Sequence, residues 1–342
     1  MAASAVLSRR RLRYPVVMLA SLGSFALFAL GKGVDPLTMY SNLVSSTFGS
    51  GVSVSQILDT TAPLALCGLA VALPAWGGMV NIGGQGQLTV GAVAAAGVVQ
   101  LAPGDGNGWL VMSAMLVASA LGGAAWAGLS ALLRVRFSVN ETISTLLLNF
   151  VALDLMLYLV YGPWRSAQGT GQPVSELVPT AYQIPLFPGT QINIGLVVAV
   201  VASGAGFVFF RYSRAGFMLR VVGRNQAAAR RSGIRADRAL LWALLGGGAI
   251  AGVGGMIQYA GLELQLSPSF ALEYGYIGFL ASWMAAHTPL ALIPSAGVLA
   301  AIAVGGDNLQ ITSALPGSSV YILMGFLVLG ILLANRSKEQ RS

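Results

Sequence analysis

Charge is what this sequence has least of. Only 9% of its 342 residues are Asp, Glu, Lys or Arg, where soluble chains carry about 25%. It has one cysteine, Cys67, so an intramolecular disulfide is excluded. Its one histidine, His287, leaves no basis for a His-rich metal centre or a His-based triad. No G-x-x-x-x-G-K-S/T run occurs, so the chain brings no P-loop of its own for ATP hydrolysis. Without a His/Cys/Asp cluster or an activated nucleophile, a membrane-embedded enzyme has no support either.

Apolar residues take the place of charge, at 56% of the chain. Repeated apolar runs long enough to cross ~30 Å of hydrocarbon indicate an all-α polytopic membrane protein; the alternation of a lipid-facing β-barrel is missing. Spans are predicted near 14–31, 60–76, 80–101, 109–133, 139–161, 192–210, 239–260, 272–286, 290–304 and 319–334. Threaded from a cytoplasmic N-terminus, they leave seventeen of the nineteen basic residues inside. These are Arg9, Arg10, Arg11, Arg13, Arg134, Arg136, eight arginines between 211 and 238, Arg336, Lys338 and Arg341; only Lys32 and Arg165 fall outside. That bias predicts an N-in, C-in topology with an even number of spans. The runs at 272–286 and 290–304 are short, with Pro289 between them and Pro294 inside the second. A re-entrant pair there would leave eight spans rather than ten. The first apolar run follows a basic stretch but lacks a convincing cleavage site, and is read as a signal-anchor span.

The outer side pairs those two cations with eight acids, so nothing there is built to attract an anion. Basic charge here serves topology and partner docking, not nucleic acid.

The densest charge lies in RYSRAGFMLRVVGRNQAAARRSGIRADR, Arg211 to Arg238, with eight arginines and one acid. Phe217, Val221 and Val222 are expected on one helical side and Arg220, Arg224 and Arg231 on another. Two readings stand: a loop obeying the positive-inside bias, or a docking element that takes force from a soluble partner. A second informative stretch, PAWGGMVNIGGQGQLTVGA, sets Asn81, Gln85 and Gln87 among six glycines. It reads either as a packing seam with amides as interhelical glue, or as a helix break lining a pathway. A five-residue echo, Gly254-Gly255-Met256-Ile257-Gln258 against Gly77-Gly78-Met79-Val80-Asn81, hints at an internal repeat.

Glu141, Thr145 and Asn149 are spaced by four and stack on one helix face. Glu141 follows a basic turn and is placed to pair with Arg134 or Arg136. Asp154 lies deeper, and either snorkels to the outer side or faces a wet cavity. Residues 162–191, with five prolines and Trp164, Tyr182 and Phe187, form a long external segment, read as a lid or turn or as a surface for a soluble delivery partner. Asp307 and Asn308 fall near the outside.

Several of these stretches together resemble the permease subunits of ABC importers in the branched-chain amino acid, ribose and nucleoside superfamily. The carriers are NIGGQGQLTVGA, NETISTLLLNFVAL, YGPW and GFMLRVVGRNQAAARRSGI, spread over almost the whole chain. In the last, Gly216, Arg220, Gly223, Asn225, Ala228, Ala229 and Gly233 are all in register with the family pattern. The set is closest to the longer permease of nucleoside-type importers, similar to simple-sugar permeases. Gln85 departs from it, standing where an acid is frequent, and GYIGFLASWMAAHTP follows it loosely.

The resemblance implies a single permease domain over 1–342, with a coupling helix inside 211–238. That helix would seat in a cytoplasmic ATP-binding subunit with tandem ATPase domains, which would bind ATP and Mg; this chain itself would bind no cofactor. A second, paralogous permease, an extracytoplasmic solute-binding protein and a multi-pass place in a bacterial inner or plasma membrane are also implied. The expected activity is alternating-access import of a neutral polar solute, a nucleoside before a ribose-type sugar or a branched-chain amino acid. Asn81, Gln85, Glu141, Ser144 and Asn149 are the residues expected to influence the pathway. The rival from another class is a passive channel or an ion-coupled secondary transporter, which the sparse mid-membrane charges disfavour.

Overall fold

A computed structural model describes residues 2–102, 106–167, 171–270, 272–312, 315, 316 and 318–339. The side chains of Arg9, Arg10, Arg11, Arg13, Asp307, Asn308, Arg336, Lys338 and Arg341 lie outside the described residues. Thirteen helices follow one another: α1 (Ala2–Gly31), α2 (Pro36–Phe48), α3 (Gly51–Ala75), α4 (Gly84–Leu101), α5 (Gly108–Phe137), α6 (Glu141–Tyr161), α7 (Gly195–Tyr212), α8 (Arg214–Arg224), α9 (Gln226–Arg231), α10 (Ala236–Ile257), α11 (Tyr274–Met284), α12 (Pro289–Thr312) and α13 (Ser319–Glu339). No strand interrupts them among the described residues, and one isolated bridge joins Leu186 to Asn193.

Local chemistry sets the ends. Asn107, Asn140, Ser213 and Asn225 each accept a backbone N–H at the start of α5, α6, α8 and α9. Ser138 closes α5 in the left-handed region, at φ 56°. α3 runs through Pro63 and Pro74, and α12 through Pro294.

Among the described residues six helices are long and apolar enough to cross a membrane: α3, α5, α6, α7, α10 and its continuation to Glu263, and α12 to Gly306. The chain is an all-α polytopic membrane protein. α1 from Val16 and α2 are apolar enough only when taken together, bent by 115° across residues 32–35, and make a seventh crossing if the pair is one broken span rather than a re-entrant loop. Ser319–Ala334 is a shorter apolar helix, so six or seven crossings are found among the described residues against the eight to ten expected.

The chain packs as two compact units, residues 1–57 with 298–342 and residues 58–297. In the first, α1 and α13 lie together over a core of Phe25, Met39, Leu323 and neighbours. Ser21 Oγ donates to the Phe326 carbonyl at 2.9 Å, and Tyr40 OH to that of Leu22 at 2.6 Å.

The second unit holds the features singled out in the sequence. Its centre is a backbone-to-backbone packing of α4, α5 and α10. A Cβ on Gly252 would stand 2.1 Å from the Ser119 carbonyl, and one on Gly255 2.0 Å from that of Leu88. Small residues let helices meet this closely where hydrocarbon offers no hydrophobic drive between them. The glycine echo does not repeat in shape. Gly77–Asn81 lies in a non-helical connection, whereas Gly254–Ile257 ends α10 and runs into a π-helical turn, Gln258–Glu263.

Candidate functional site

Two short helices carry the arginine segment. In α8, Ser213 Oγ accepts the Gly216 N–H at 2.9 Å; in α9, Asn225 Oδ1 accepts that of Ala228 at 2.9 Å. Asn225 is extended, at φ −156° and ψ 98°, and makes the corner between them. The buried stripe of α8 is Gly216, Leu219 and Val222, joined by Ala229 of α9 and packed on Met79, Phe210 and Leu240. This corrects the expected grouping of Phe217 with Val221 and Val222, since Phe217 points away and is 59% exposed. Two glycines draw the seam to one side of it. A Cβ on Gly216 would lie 2.4 Å from the Phe209 carbonyl, and one on Gly223 2.2 Å from that of Trp76. The outward face combines Phe217 and Met218 with exposed Arg214, Arg224, Arg230 and Arg231.

Beside that face, a cavity of about 480 Å³ opens between the α5–α6 turn and the start of α10. Two ion pairs line it: Arg134 with Glu141, and Arg230 Nη2 with Asp237 at 2.8 Å. Glu141 is therefore an ion-paired residue at the mouth of α6, and Ser144 Oγ donates back to its carbonyl at 3.2 Å.

Arg220 does not share the outward face. Its guanidinium lies 5.8 Å from the centre of the Trp76 ring, within cation–π reach, and its Nε is buried without a partner among the described residues. Trp76 stacks on Phe210, with centroids 4.5 Å apart, and its indole N–H donates to the His287 carbonyl at 2.9 Å. His287 sits in the turn between α11 and α12, where Ala286 and His287 both have positive φ, 47° and 56°. Two consecutive non-glycine residues in that region cost roughly 1–3 kcal/mol each. The imidazole Nδ1 lies 2.9 Å from Ser282 Oγ, its ring meets Trp283 edge-on, and burial pushes its pKa down to about 4.

From Trp76 the chain runs to α4 without regular structure, and the amides of the second motif hold it there. Asn81 is fully buried: its Oδ1 accepts the Gly83 N–H at 2.9 Å, and its Nδ2 reaches Gln87 Oε1 at 3.2 Å and the Ala70 carbonyl at 3.3 Å. Asn149 Oδ1 takes the Gly86 N–H at 2.8 Å while its Nδ2 gives to the Ile82 carbonyl at 3.0 Å. Thr145 Oγ1 accepts the Ile82 N–H. Gln85 Oε1 takes the Gly275 N–H at 2.8 Å, which fixes the head of α11. Irregular backbone at membrane depth must have its hydrogen bonds met by protein, and these side chains meet them. α11, eleven residues or ~16 Å long, is held near its start by Gln85 at Gly275 and is followed by the turn whose His287 carbonyl takes the Trp76 N–H.

The family described as "Branched-chain amino acid transport system / permease component" matches residues 53–332 of the chain. This chain belongs to that permease family. Among its relatives, the glucose ABC transporter permease protein TsgB13 of Haloferax volcanii is 33% identical over 95% of this chain and 87% of its own. The guanosine ABC transporter permease protein NupP of Bacillus subtilis is 28% identical over 92% and 90%. The nucleoside ABC transporter permease protein NupB of Lactococcus lactis is 25% identical over 83% and 80%.

The permease fold gathers Asn81, Gln85 and Asn149 around the connection into α4, where each accepts a backbone N–H, with Ser144 and Glu141 one and two turns nearer the arginine end of α6. Of the arginine motif, Gly216, Gly223 and Ala229 seat the helices, Asn225 caps α9, Arg220 anchors inward, and Ala228 is exposed. Gly233, at φ +80°, turns the chain after α9. Asp154 is exposed on α6. In the external segment Tyr182 is 1% exposed and Trp164 is partly buried against the core beside Gly97. Sequence reasoning missed Trp76, His287 and Tyr276, whose OH lies 3.3 Å from Asn149 Nδ2. For Trp76, its place just before the paired glycines was the one available signal.

Proposed function

We propose that this permease, as one domain made of both packed units, moves a nucleoside across a bacterial inner membrane. It does so by alternating access, driven by ATP hydrolysis in a separate subunit. The observation that carries the coupling reading is the α8–α9 face, where Phe217, Met218 and four arginines stand outward while glycines seat the other side. An apolar and cationic surface of this kind fits a groove on a soluble ATP-binding subunit, expected to carry tandem ATPase domains and to hold the ATP and Mg. Gly216, Arg220, Gly223, Asn225, Ala228, Ala229 and Gly233 are the coupling residues. Push on α8 passes to Trp76, from Trp76 to the His287 turn, and so to α11 and the amide-held break, where Asn81, Gln85, Glu141, Ser144 and Asn149 influence the pathway. A paralogous permease and an extracytoplasmic solute-binding protein complete the importer.

Nucleoside import is supported by the guanosine and nucleoside permeases among the relatives, and by an outer side that offers few cations to an anionic solute. The 33% identity to a glucose permease favours a second reading, sugar import. Proteoliposomes containing the permeases and the ATP-binding subunit, with binding protein added, separate the two by labelled guanosine against labelled glucose. ATP-dependent guanosine uptake is the expected result. Uptake of glucose alone would move the assignment to sugars, and uptake by this chain without ATP or partner would replace the importer with a passive carrier.

A further inference from the structure

The lipid-facing side of the second unit is not flat. Between α3, α7, α8 and α10 lies a groove of about 890 Å³, walled by Leu69, Phe209, Met218 and Ile250. Small residues line both of its sides, Ala205 and Gly206 on α7 and Ala243 and Gly246 on α10. Along α10 it runs from Arg238 to Ile250, twelve residues or ~18 Å. That compares with ~15 Å for one leaflet of a ~30 Å hydrocarbon core.

The polar end of the groove is cationic. Arg235 and Arg238 line it there, both exposed, with Trp242 one turn further along α10 and 68% exposed. Neither arginine takes part in the ion pairs found among the described residues, Arg134–Glu141 and Arg230–Asp237. They also stand at the N-terminal end of α10, where the helix dipole disfavours cations, so helix stability does not account for them. An apolar trench one leaflet deep, with two free guanidiniums at its mouth and an indole at the interface, matches an acyl chain under an anionic headgroup.

We infer that this groove binds an anionic phospholipid from the leaflet on the arginine side, with its headgroup phosphate on Arg235 and Arg238 and an acyl chain along α7 and α10. The site does not depend on which solute the permease carries.

The test uses the full-length chain in detergent, offered phosphatidylglycerol or phosphatidylcholine with identical acyl chains, with retained lipid counted by native mass spectrometry. The wild type should prefer phosphatidylglycerol by roughly thirty-fold, about five-fold for each arginine. Arg235→Gln with Arg238→Gln should abolish the preference, and Arg238→Gln alone should leave about five-fold. Ala205→Phe, which fills the trench from an exposed position, should reduce retention of both lipids. Equal retention of the two lipids by wild type, or a preference untouched by the arginine changes, would overturn the site. So would undiminished retention in Ala205→Phe, or loss of the lipid when the ATP-binding subunit assembles, which would assign the groove to protein.

Discussion

The glycine-packed centre of the second unit and its arginine end are built on opposite terms. At the centre, α4, α5 and α10 touch through bare backbone; the buried amides Asn81 and Gln87 bond to each other, and Asn149 holds the Gly86 N–H and the Ile82 carbonyl. At the arginine end, apolar and charged side chains stand in the open. Arg220 Nε and Trp283 Nε1 are buried without partners among the described residues, and Ser138, Ala286 and His287 have positive φ. Close-packed regions transmit displacement without absorbing it; strained or unsatisfied ones settle into alternative arrangements at small cost. A pump driven from outside needs both, a body that stays rigid and a handle that moves.

That contrast is broken most directly at Gly252. Gly252→Val would set a side chain against the Ser119 carbonyl with no room on either helix. The expected cost is about 3 kcal/mol or more, seen as loss of the protein from the membrane fraction. Normal levels and an unchanged melting temperature would show the centre to be pliable. Gly223→Val meets backbone just as closely, but at the handle. Here the protein should reach the membrane while ATP-driven uptake falls by about tenfold or more and ATP hydrolysis continues. Unchanged uptake would detach α8 from the drive.

A smaller effect tests whether the amides hold the break. Asn149→Ala strands the Gly86 N–H and the Ile82 carbonyl, at a cost of about 1–3 kcal/mol in the melting of the purified permease. Smaller again is Trp76→Phe, which keeps a ring stacked on Phe210 and facing Arg220 and loses the bond to His287. About 1 kcal/mol of stability should go, with a few-fold rise in ATP hydrolysed per solute moved. An unaltered ratio would remove Trp76 from the transmission path.

Much of the rigid body was legible in the sequence, because apolar runs give spans and four-residue spacing gives a helix face. Glu141, Thr145 and Asn149 do stack as the spacing requires. The handle was less legible. A segment as short as α8 offers several apolar pairings, and the choice between Phe217 and Leu219 was made by glycines pressed on Trp76 and Phe209. Trp76 and His287 are 211 positions apart, and their bond runs from an indole to a backbone carbonyl, so no pattern in either stretch announces it. Helices that are apolar all round hide which face meets a neighbour.

The finest effect concerns the turn itself. His287 is held neutral by burial, with its pKa pushed down to about 4, against about 6.5 when the turn is open. Above about pH 6.5 both forms are neutral and the turn is indifferent to acid. As the pH falls from there toward 4, only the open form takes up a proton, so acid favours opening and stability drops. Thermal melting of the purified permease should fall progressively over that window, with coupled uptake falling alongside it. His287→Asn, which tolerates positive φ and does not titrate, should flatten that part of the profile. A wild-type profile already flat between about pH 7 and 5 would mean that the turn opens to water without a proton, and that the strain at Ala286 and His287 alone sets how readily the handle moves.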